Sequence, residues 1–317
     1  MPAVSVIMPA YNVEPYVEAA VHSVLRQTFR DFELIIVDDG ATDGTFDAAQ
    51  RAAGRDPRVR IIRQANSGLS AARNTGLRVS QAPLVALLDS DDLWAPAFLE
   101  RQLAILTGPQ APDIVTGNAW TLGGAHDGEP ARPYPDPRPQ PDLVRILGDE
   151  FSVFVMAVFR RRVFEVIGGF DESLRTNEDY DFWLRAAIAG FTFARNDEPL
   201  AFYRRRDDSL SASDIRMLRG ILIVYAKQRP AVLYFHPAID ILELQIKRFE
   251  AELLAAEARL AMDQRDFVLA KEHLTALRAR RGGPLLALAP LMARWTPGLL
   301  FKAYQMRRNR RAATQES

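Results

Sequence analysis

Leu84-Val85-Ala86-Leu87-Leu88-Asp89-Ser90-Asp91-Asp92 passes from a short apolar run straight into an acidic turn. Glu33-Leu34-Ile35-Ile36-Val37-Asp38-Asp39 does the same earlier in the chain. Near-continuous apolar runs of this length are the mark of strands buried on both faces of a parallel sheet, whose ligands bind beyond the C-terminal strand ends. Two acidic clusters at such ends should converge on one crevice. Residues two apart along an extended chain point the same way, so Asp89 and Asp91 can aim their carboxylates at one point. That suits Mg²⁺ or Mn²⁺, which take oxygen ligands and leave positions for water and substrate phosphates. The plainer alternative is an acidic turn that caps a helix.

Outward from these stretches the pattern of strand and helix repeats. Val4 to Met8 reads as a buried strand, and Val13 to Gln27 as a helix with Asn12 as N-cap and Val17, Ala20, Val21 and Val24 on one face. A helix follows Thr42, then a strand over Val59 to Ile62 and a helix over Leu69 to Val79. Three such units predict an α/β fold, Rossmann-like, with a mostly parallel central sheet flanked by helices. Further strands are expected at Asp113 to Gly117, Phe151 to Phe159 and Leu200 to Tyr203, with a helix over Asn177 to Ala189. Residues 123–141, rich in Gly and Pro, read as a long, mobile loop. The α/β domain is expected to span residues 1–212, and residues 213–317 to form a helical C-terminal region, possessing no convincing strand between Ile215 and Arg281.

Within that region Ala251 to Ala279 resembles one helix-turn-helix unit of the tetratricopeptide type, with Ala258, Ala261, Phe267, Ala270 and Leu274 at the packing positions. A single unit is not an array, so an ordinary helical hairpin is expected. Gly283 to Arg311 joins apolar residues such as Leu291, Trp295 and Leu299 to a basic end at Arg307, Arg308, Arg310 and Arg311. Two readings stand for it: a segment lying in a membrane interface, or a last core-packing helix with a solvated tail. Pro290 and Pro297 argue against one continuous helix.

The 317 residues, 48% apolar, suffice for a sizeable core. Forty basic and forty acidic residues cancel, which gives no sign of a nucleic-acid partner. The absence of cysteine excludes disulfides, thiolate nucleophiles and Cys-ligated metals. Without a basic stretch leading into an apolar run at the N-terminus, a cytoplasmic location is expected, at most associated with the inner face of the membrane. The longest apolar runs are about half the roughly 18 residues of a membrane-spanning helix.

Between the acidic clusters, Asn66-Ser67-Gly68-Leu69-Ser70-Ala71-Ala72-Arg73-Asn74 opens a helix whose free N–H groups could face an anion, with Arg73 one turn further in. A capped helix with a surface-paired arginine is the alternative. Taken together, Met8-Pro9-Ala10-Tyr11-Asn12, Val37-Asp38-Asp39-Gly40-Ala41-Thr42-Asp43-Gly44-Thr45, Asn66-Ser67-Gly68 with Ala71-Arg73-Asn74, and Leu88-Asp89-Ser90-Asp91-Asp92 resemble family 2 glycosyltransferases of the GT-A fold. The resemblance covers roughly residues 3 to 205 and rests on four motifs in order.

It implies roles. Pro9, Ala10 and Tyr11 would wall the nucleotide, Asp39 would hydrogen-bond the uracil edge, and Arg73 would lie near the base or the diphosphate. Asn66, Gly68 and Ser90 fall in the same nucleotide-sugar motifs. Asp89 would reach the ribose or donor sugar and share the metal with Asp91, which would ligate Mn²⁺ or Mg²⁺ bridging the diphosphate. The catalytic base in the family follows a Gly-Gly-Phe-Asp-Glu element; here Gly168-Gly169-Phe170-Asp171-Glu172 leads to Asn177-Glu178-Asp179, with Asp179 the first choice and Glu178 the second. A carboxylate at a helix start is stabilised in its charged form, so a hydrophobic neighbour such as Trp183 is expected to offset that.

Two departures from the family pattern stand out. Arg206 occupies the place where relatives often carry a metal- or diphosphate-binding histidine, so it could hold phosphate but not metal. The Gln-x-x-Arg-Trp motif of processive members is absent, which predicts one sugar per encounter. The expected activity is therefore inverting transfer of a single sugar from a UDP-sugar to a glycan or lipid-linked acceptor in cell-surface polysaccharide synthesis, with residues 283–317 as a candidate peripheral membrane contact. A sugar-nucleotide nucleotidyltransferase would carry a Gly-rich basic loop where this chain has Pro9-Ala10-Tyr11-Asn12. The other class of reading is a non-catalytic nucleotide-sugar-binding or scaffolding protein on the same fold. The sugar, the acceptor and the oligomeric state leave no mark in the sequence.

Overall fold

The computed structural model describes residues 1–149, 153, 156–206 and 214–281, with 290–292, 295–296, 298–299, 301–302 and 305 beyond them. The first half runs β1 (Val4–Ala10), α1 (Glu14–Leu25), β2 (Phe32–Asp38), α2 (Thr45–Ala53), β3 (Val59–Arg63), α3 (Leu69–Val79) and β4 (Leu84–Leu87). Then follow β5 (Leu93–Trp94), α4 (Phe98–Leu106), β6 (Ile114–Leu122), α5 (Leu143–Gly148), β7 (Ala157–Arg160), α6 (Arg161–Ile167), α7 (Glu178–Ile188) and β8 (Phe193–Arg204). Three helices close the described chain: α8 (Asp214–Val232), α9 (Ala238–Asp263) and α10 (Phe267–Arg281).

The eight strands form one sheet in the order β3-β2-β1-β4-β7-β6-β8-β5. The pairs β3-β2, β2-β1 and β1-β4 are parallel, as the repeated strand-helix units require. Beyond β4 the sheet is mixed: β7 runs antiparallel to β4 and β6, β8 parallel to β6, and β5 antiparallel to β8. All seven residues of β1 are buried, because helices cover both faces of the sheet there. Strand order reverses around β1, whose C-terminal end lies between those of β2 and β4. The register sets Ala10 opposite Asp38 and Ile7 opposite Leu87, so the acidic stretches after β2 and β4 emerge along one edge at this switch point.

Several expectations change in detail. Asn12 does not cap α1: the helix starts after Val13, and the Asn12 side chain, on a residue with φ 51°, accepts the Thr42 N–H at 2.9 Å instead. The Val13 N–H is taken by Thr45 Oγ1 at 2.8 Å, so the loops after β1 and β2 are tied to each other. The strand expected over Phe151 to Phe159 is seen from Ala157, while residues 150–152 and 154–155 lie outside the described residues. β6 and β8 are longer than expected; their pairing shifts register around Asn118. Elements β5, α4, α5 and α6 carried no distinctive sequence signal.

The segment over residues 123–141 is anchored rather than loose. Asn118 accepts the Arg132 N–H at 3.1 Å and donates to the Arg132 and Asp197 carbonyls. Arg132 and Asp136 are buried, and Arg195 donates to the carbonyls of Asp136 and Arg138. The hydrogen bonds from Arg138 hold the Asp136 carboxyl well below the usual range, against the opposing effect of its burial. Irregular backbone needs such partners when it is covered.

Ile221, Val224 and Tyr225 of α8, and Leu242 and Phe249 of α9, join the same buried cluster as the sheet. Tyr225 accepts from Tyr180 of α7 at 3.2 Å and donates to the Leu147 carbonyl. The hairpin of α9 and α10 buries Ala258, Ala261 and Ala270, the small packing positions expected of it. Phe301 packs edge-on against Phe267, with ring centroids 6.4 Å apart, while Leu291, Trp295 and Leu299 are exposed. The arginine-rich end at residues 307–311 lies outside the described residues. Among the described residues no helix is long and apolar enough to cross a membrane.

Candidate active site

The acidic turns after β2 and β4 emerge on either side of the end of β1, and their carboxylates differ in what they touch. Asp39 is buried and accepts from Gln64 Nε2 at 2.7 Å, the Ser67 N–H at 2.9 Å and the Gly68 N–H at 2.8 Å. Gly68 adopts φ 95°, a conformation that only glycine takes without strain. Asp39 thereby shapes the Asn66-Ser67-Gly68 loop that opens α3. Pro9 and Ala10 are buried at the end of β1, whereas the Tyr11 ring, 46% exposed, stands beside them as an open wall.

Arg73 is the centre of the site. Its side chain is almost fully buried, with Nη2 donating to Asp89 Oδ1 at 2.7 Å and Nη1 to Glu178 Oε1 at 2.7 Å. It also lies over the Phe170 ring, 5.2 Å from the centroid. Burial alone would disfavour its charge, yet Asp89, Glu178 and Asp179 together hold the guanidinium more firmly protonated than usual. One cation therefore joins the metal-type turn after β4 to the start of α7. Its neighbour Asn74 clamps the Gly-Gly-Phe-Asp-Glu element: its Oδ1 accepts the Phe170 N–H at 2.8 Å, and its Nδ2 donates to the Phe170 carbonyl and to Glu172 Oε1 at 2.9 Å. A Cβ on Gly169 would run into the Asn74 side chain, which explains glycine there. From the other side Arg185 donates to the carbonyls of Ile167 and Gly169.

At the head of α7 the two candidate bases part company. Glu178 is committed to Arg73. Asp179 accepts the Tyr180 N–H at 2.8 Å, and its carboxyl is pushed up to about 7. Enclosure away from water is the largest cause, the Glu178 charge adds to it, and Arg73 opposes both. Trp183, one turn on, is fully buried against Phe159 and Phe182. A carboxyl titrating near neutrality is suited to take a proton from a hydroxyl.

Asp91 pairs through Oδ2 with Arg206 Nη1 at 3.1 Å. Burial and the Asp89 charge raise its carboxyl, against Arg206. Asp92, deeper still, is raised further and accepts the Arg204 N–H at 2.7 Å. Arg204 and Arg206 both lie 4.9 Å over the Tyr16 ring of α1, and Arg204 Nε donates to the Asp91 carbonyl at 2.8 Å, so the end of β8 is held to both α1 and the acidic turn. Ser90 is buried within the acidic turn, and Asn66 is exposed. Among the described residues no group of three or more His, Asp or Glu side chains could hold a metal. Two carboxylates, Asp89 and Asp91, each paired with arginine through one oxygen, suffice in kind for an ion that draws its other ligands from phosphate and water.

The structure thus brings together Asp89, Arg73, Glu178 and Asp179, and separately Asp91 and Arg206. Sequence reasoning gave no role to Asn74, Gln64, Tyr16 or Arg185. Asn74 lies within the Asn66–Asn74 motif; Gln64 and Tyr16 carry no local signal because their partners are distant in the chain, and the local pairing of Arg185 with Asp181 at 2.8 Å does not foretell its bonds to Ile167 and Gly169.

Residues 5–168 match the family model described as glycosyl transferase family 2, and residues 147–308 that of glycosyl transferase family group 2. The chain belongs to glycosyl transferase family 2. It is 34% identical over 230 residues to TuaG of Bacillus subtilis, named for teichuronic acid biosynthesis, covering 71% of this chain and 87% of that protein. With the uncharacterized glycosyltransferase EpsJ of the same organism it shares 35% identity over 67% of this chain and 63% of EpsJ, so it spans less than two thirds of that relative. Among solved structures it resembles S. aureus TarS in complex with UDP, with TM-score 0.62, 18% identity and coverage of 96% and 92% of the two chains. It also resembles the mannosyltransferase PcManGT from Pyrobaculum calidifontis in complex with GDP-Man and Mn²⁺, with TM-score 0.61, 21% identity and coverage of 96% and 83%. At such identities these likenesses show the fold, which is GT-A.

Proposed function

We propose that this glycosyltransferase moves a single hexosyl unit from a UDP-sugar to a hydroxyl of a glycan or glycolipid in cell-surface polysaccharide synthesis, with inversion. The observation that carries the reading is the bridge of Arg73 between Asp89 and Glu178, which sets Asp179 beside the acidic turn in one crevice. Asp179 takes the proton of the acceptor hydroxyl as its oxygen attacks the anomeric carbon, and the nucleoside diphosphate leaves on the opposite face. Arg73 holds the two sides of the crevice in register, and Tyr11 packs against the nucleotide. Asp39 fixes the loop over the base through Ser67 and Gly68. Asp91 and Asp89 would hold Mn²⁺ or Mg²⁺, which when bound neutralises charge on the departing diphosphate.

The donor assignment draws on TarS, whose complexes hold UDP and UDP-GlcNAc, while PcManGT holds GDP-Man with Mn²⁺. Polysaccharide synthesis draws on TuaG. We assign the transfer chemistry to residues 1–212 and place the enzyme on the cytoplasmic side, with residues 283–317 touching the membrane through exposed Leu291, Trp295 and Leu299. Liposome flotation of the full chain against one ending at residue 282 tests that contact; equal flotation refutes it.

Thermal stabilisation by UDP, GDP, TDP and CMP, each with and without Mn²⁺, tests the donor. A ligand that prefers the native state raises its melting temperature. Metal-dependent stabilisation by UDP alone, lost in Asp91→Ala, is expected. Stabilisation by GDP instead redirects the donor, and binding without transfer to any acceptor would favour a scaffolding role.

A further inference from the structure

The candidate active site leaves a neighbouring cavity unused. A groove of about 450 Å³ lies between the turn Ser173–Thr176 and the first half of α8, with Leu174 and Arg175 on one side and Arg216, Arg219 and Ile223 on the other. A second hollow of about 400 Å³ shares Ile215 and Arg219 with it and runs on toward the turn between α9 and α10. Each is of a size that holds a small ligand.

Three features tie the groove to the chemistry. Its wall residue Thr176 is three residues from Asp179, so their Cα atoms are at most about 11 Å apart. Arg175 reaches the other way: its Nη1 lies 3.4 Å from where a Cβ on Gly68 would sit, at the mouth of the donor crevice. The floor is built by close contact. A Cβ on Gly220 of α8 would run into Thr176 Oγ1 and come within 2.5 Å of Asn177 Nδ2. Asn177 Nδ2 donates to the Met217 carbonyl at 3.0 Å, and Thr176 Oγ1 to the Arg216 carbonyl at 3.4 Å. Glycine inside a helix costs about 1 kcal/mol, so its presence fits this approach of α8 to the strand of chain that leads into Asp179.

With the Arg175 head turned toward Gly68, the first groove keeps two arginines, Arg216 and Arg219, and no acidic residue among its described members. Arg219 is steadied from behind by Glu257 at 2.6 Å, outside that lining. Guanidinium groups bind phosphate oxygens through paired N–H donors, and two of them match a doubly charged phosphate better than a single carboxylate. Leu174, Ile215 and the 56% exposed Ile223 add an apolar side.

We propose that this groove is the acceptor site and that it takes an acceptor carrying a phosphate group close to the hydroxyl that is glycosylated. The proposal rests on Asp179 as the base; the phosphate itself could belong to a lipid-linked sugar or to a soluble sugar phosphate. The test is calorimetric binding of octyl phosphate and glucose 1-phosphate, with octyl glucoside as the uncharged control, to the full chain alone and preloaded with UDP and Mn²⁺.

Octyl phosphate or glucose 1-phosphate should bind in both states. Affinity should fall at least about tenfold in Arg216→Ala/Arg219→Ala and in Ile223→Asp, an exposed position where the fold tolerates the change. Tighter binding of the octyl ester points to a lipid-linked acceptor, and of glucose 1-phosphate to a soluble one; either supports the site. Displacement of the phosphates by UDP, unchanged affinity in both variants, or equal binding of octyl glucoside overturns it. If UDP fails to bind while the phosphates bind and the variants lose them, the donor assignment falls and the groove stands.

Discussion

Replacing Asp179 by asparagine should make the protein more stable at pH 8 than the wild type while removing transfer. In the folded chain the Asp179 carboxyl is pushed up to about 7 from an ordinary 3.8, chiefly by enclosure away from water and next by Glu178. The folded state therefore binds a proton that the unfolded state has lost between these values, and wild-type stability declines as pH rises through that window. Between pH 5 and the folded value lie about two units, each about 1.4 kcal/mol, so the variant should gain about 3 kcal/mol on the wild type between pH 5 and pH 8. Asp91 and Asp92 are raised as well, but they persist in both proteins and cancel in the difference. Urea unfolding of both proteins at the two pH values measures the gain, and donor turnover in the same samples measures the loss of activity. A stability difference that is the same at pH 5 and pH 8 would refute the reasoning about Asp179, and so would near wild-type transfer by a folded variant.

The same proton predicts that kcat/KM falls as pH drops through about 7, because the base must be ionised to act; a profile flat from pH 5.5 to pH 8 would count against Asp179. Arg73→Ala leaves Asp89 and Glu178 without their shared partner and should cost about 3–5 kcal/mol by urea denaturation. Asn74→Ala should cost about 1–3 kcal/mol through its lost bonds to Phe170 and Glu172. Gly169→Ala should destabilise by crowding the same side chain, so the double variant should lose less than the sum of the two, a shortfall read from a double-mutant cycle. Chelation with EDTA should abolish transfer and Mn²⁺ should restore it, with Asp91→Asn needing more metal for half-restoration.

The order of elements in the first half was legible because each strand and helix there is marked locally: apolar runs over Val4–Ala10 and Phe32–Asp38, and an apolar stripe in α1. The second half was less so. β5 is two residues long, α5 and α6 are six and seven, and short elements carry no period to detect. The segment over residues 123–141 read as loose because Gly and Pro dominate it, yet Asn118 and Arg195 fasten it from strands that the local composition does not mention. Asn12 looked like a cap because it precedes a helix; its side chain is claimed by Thr42, thirty residues on.

What the sequence by itself determined is the chemistry on offer: acidic turns at strand ends, a helix entrance of small residues over Asn66 to Ala72, and two adjacent carboxylates after Gly-Gly-Phe-Asp-Glu, all set by residue types and short spacings. Only the tertiary structure decided how the two carboxylates divide. Arg73, 105 residues away, takes Glu178, and the same fold encloses Asp179 and lifts its carboxyl toward neutrality. Burial and charge pairing depend on which distant segments are packed together, and no local pattern of residues encodes that.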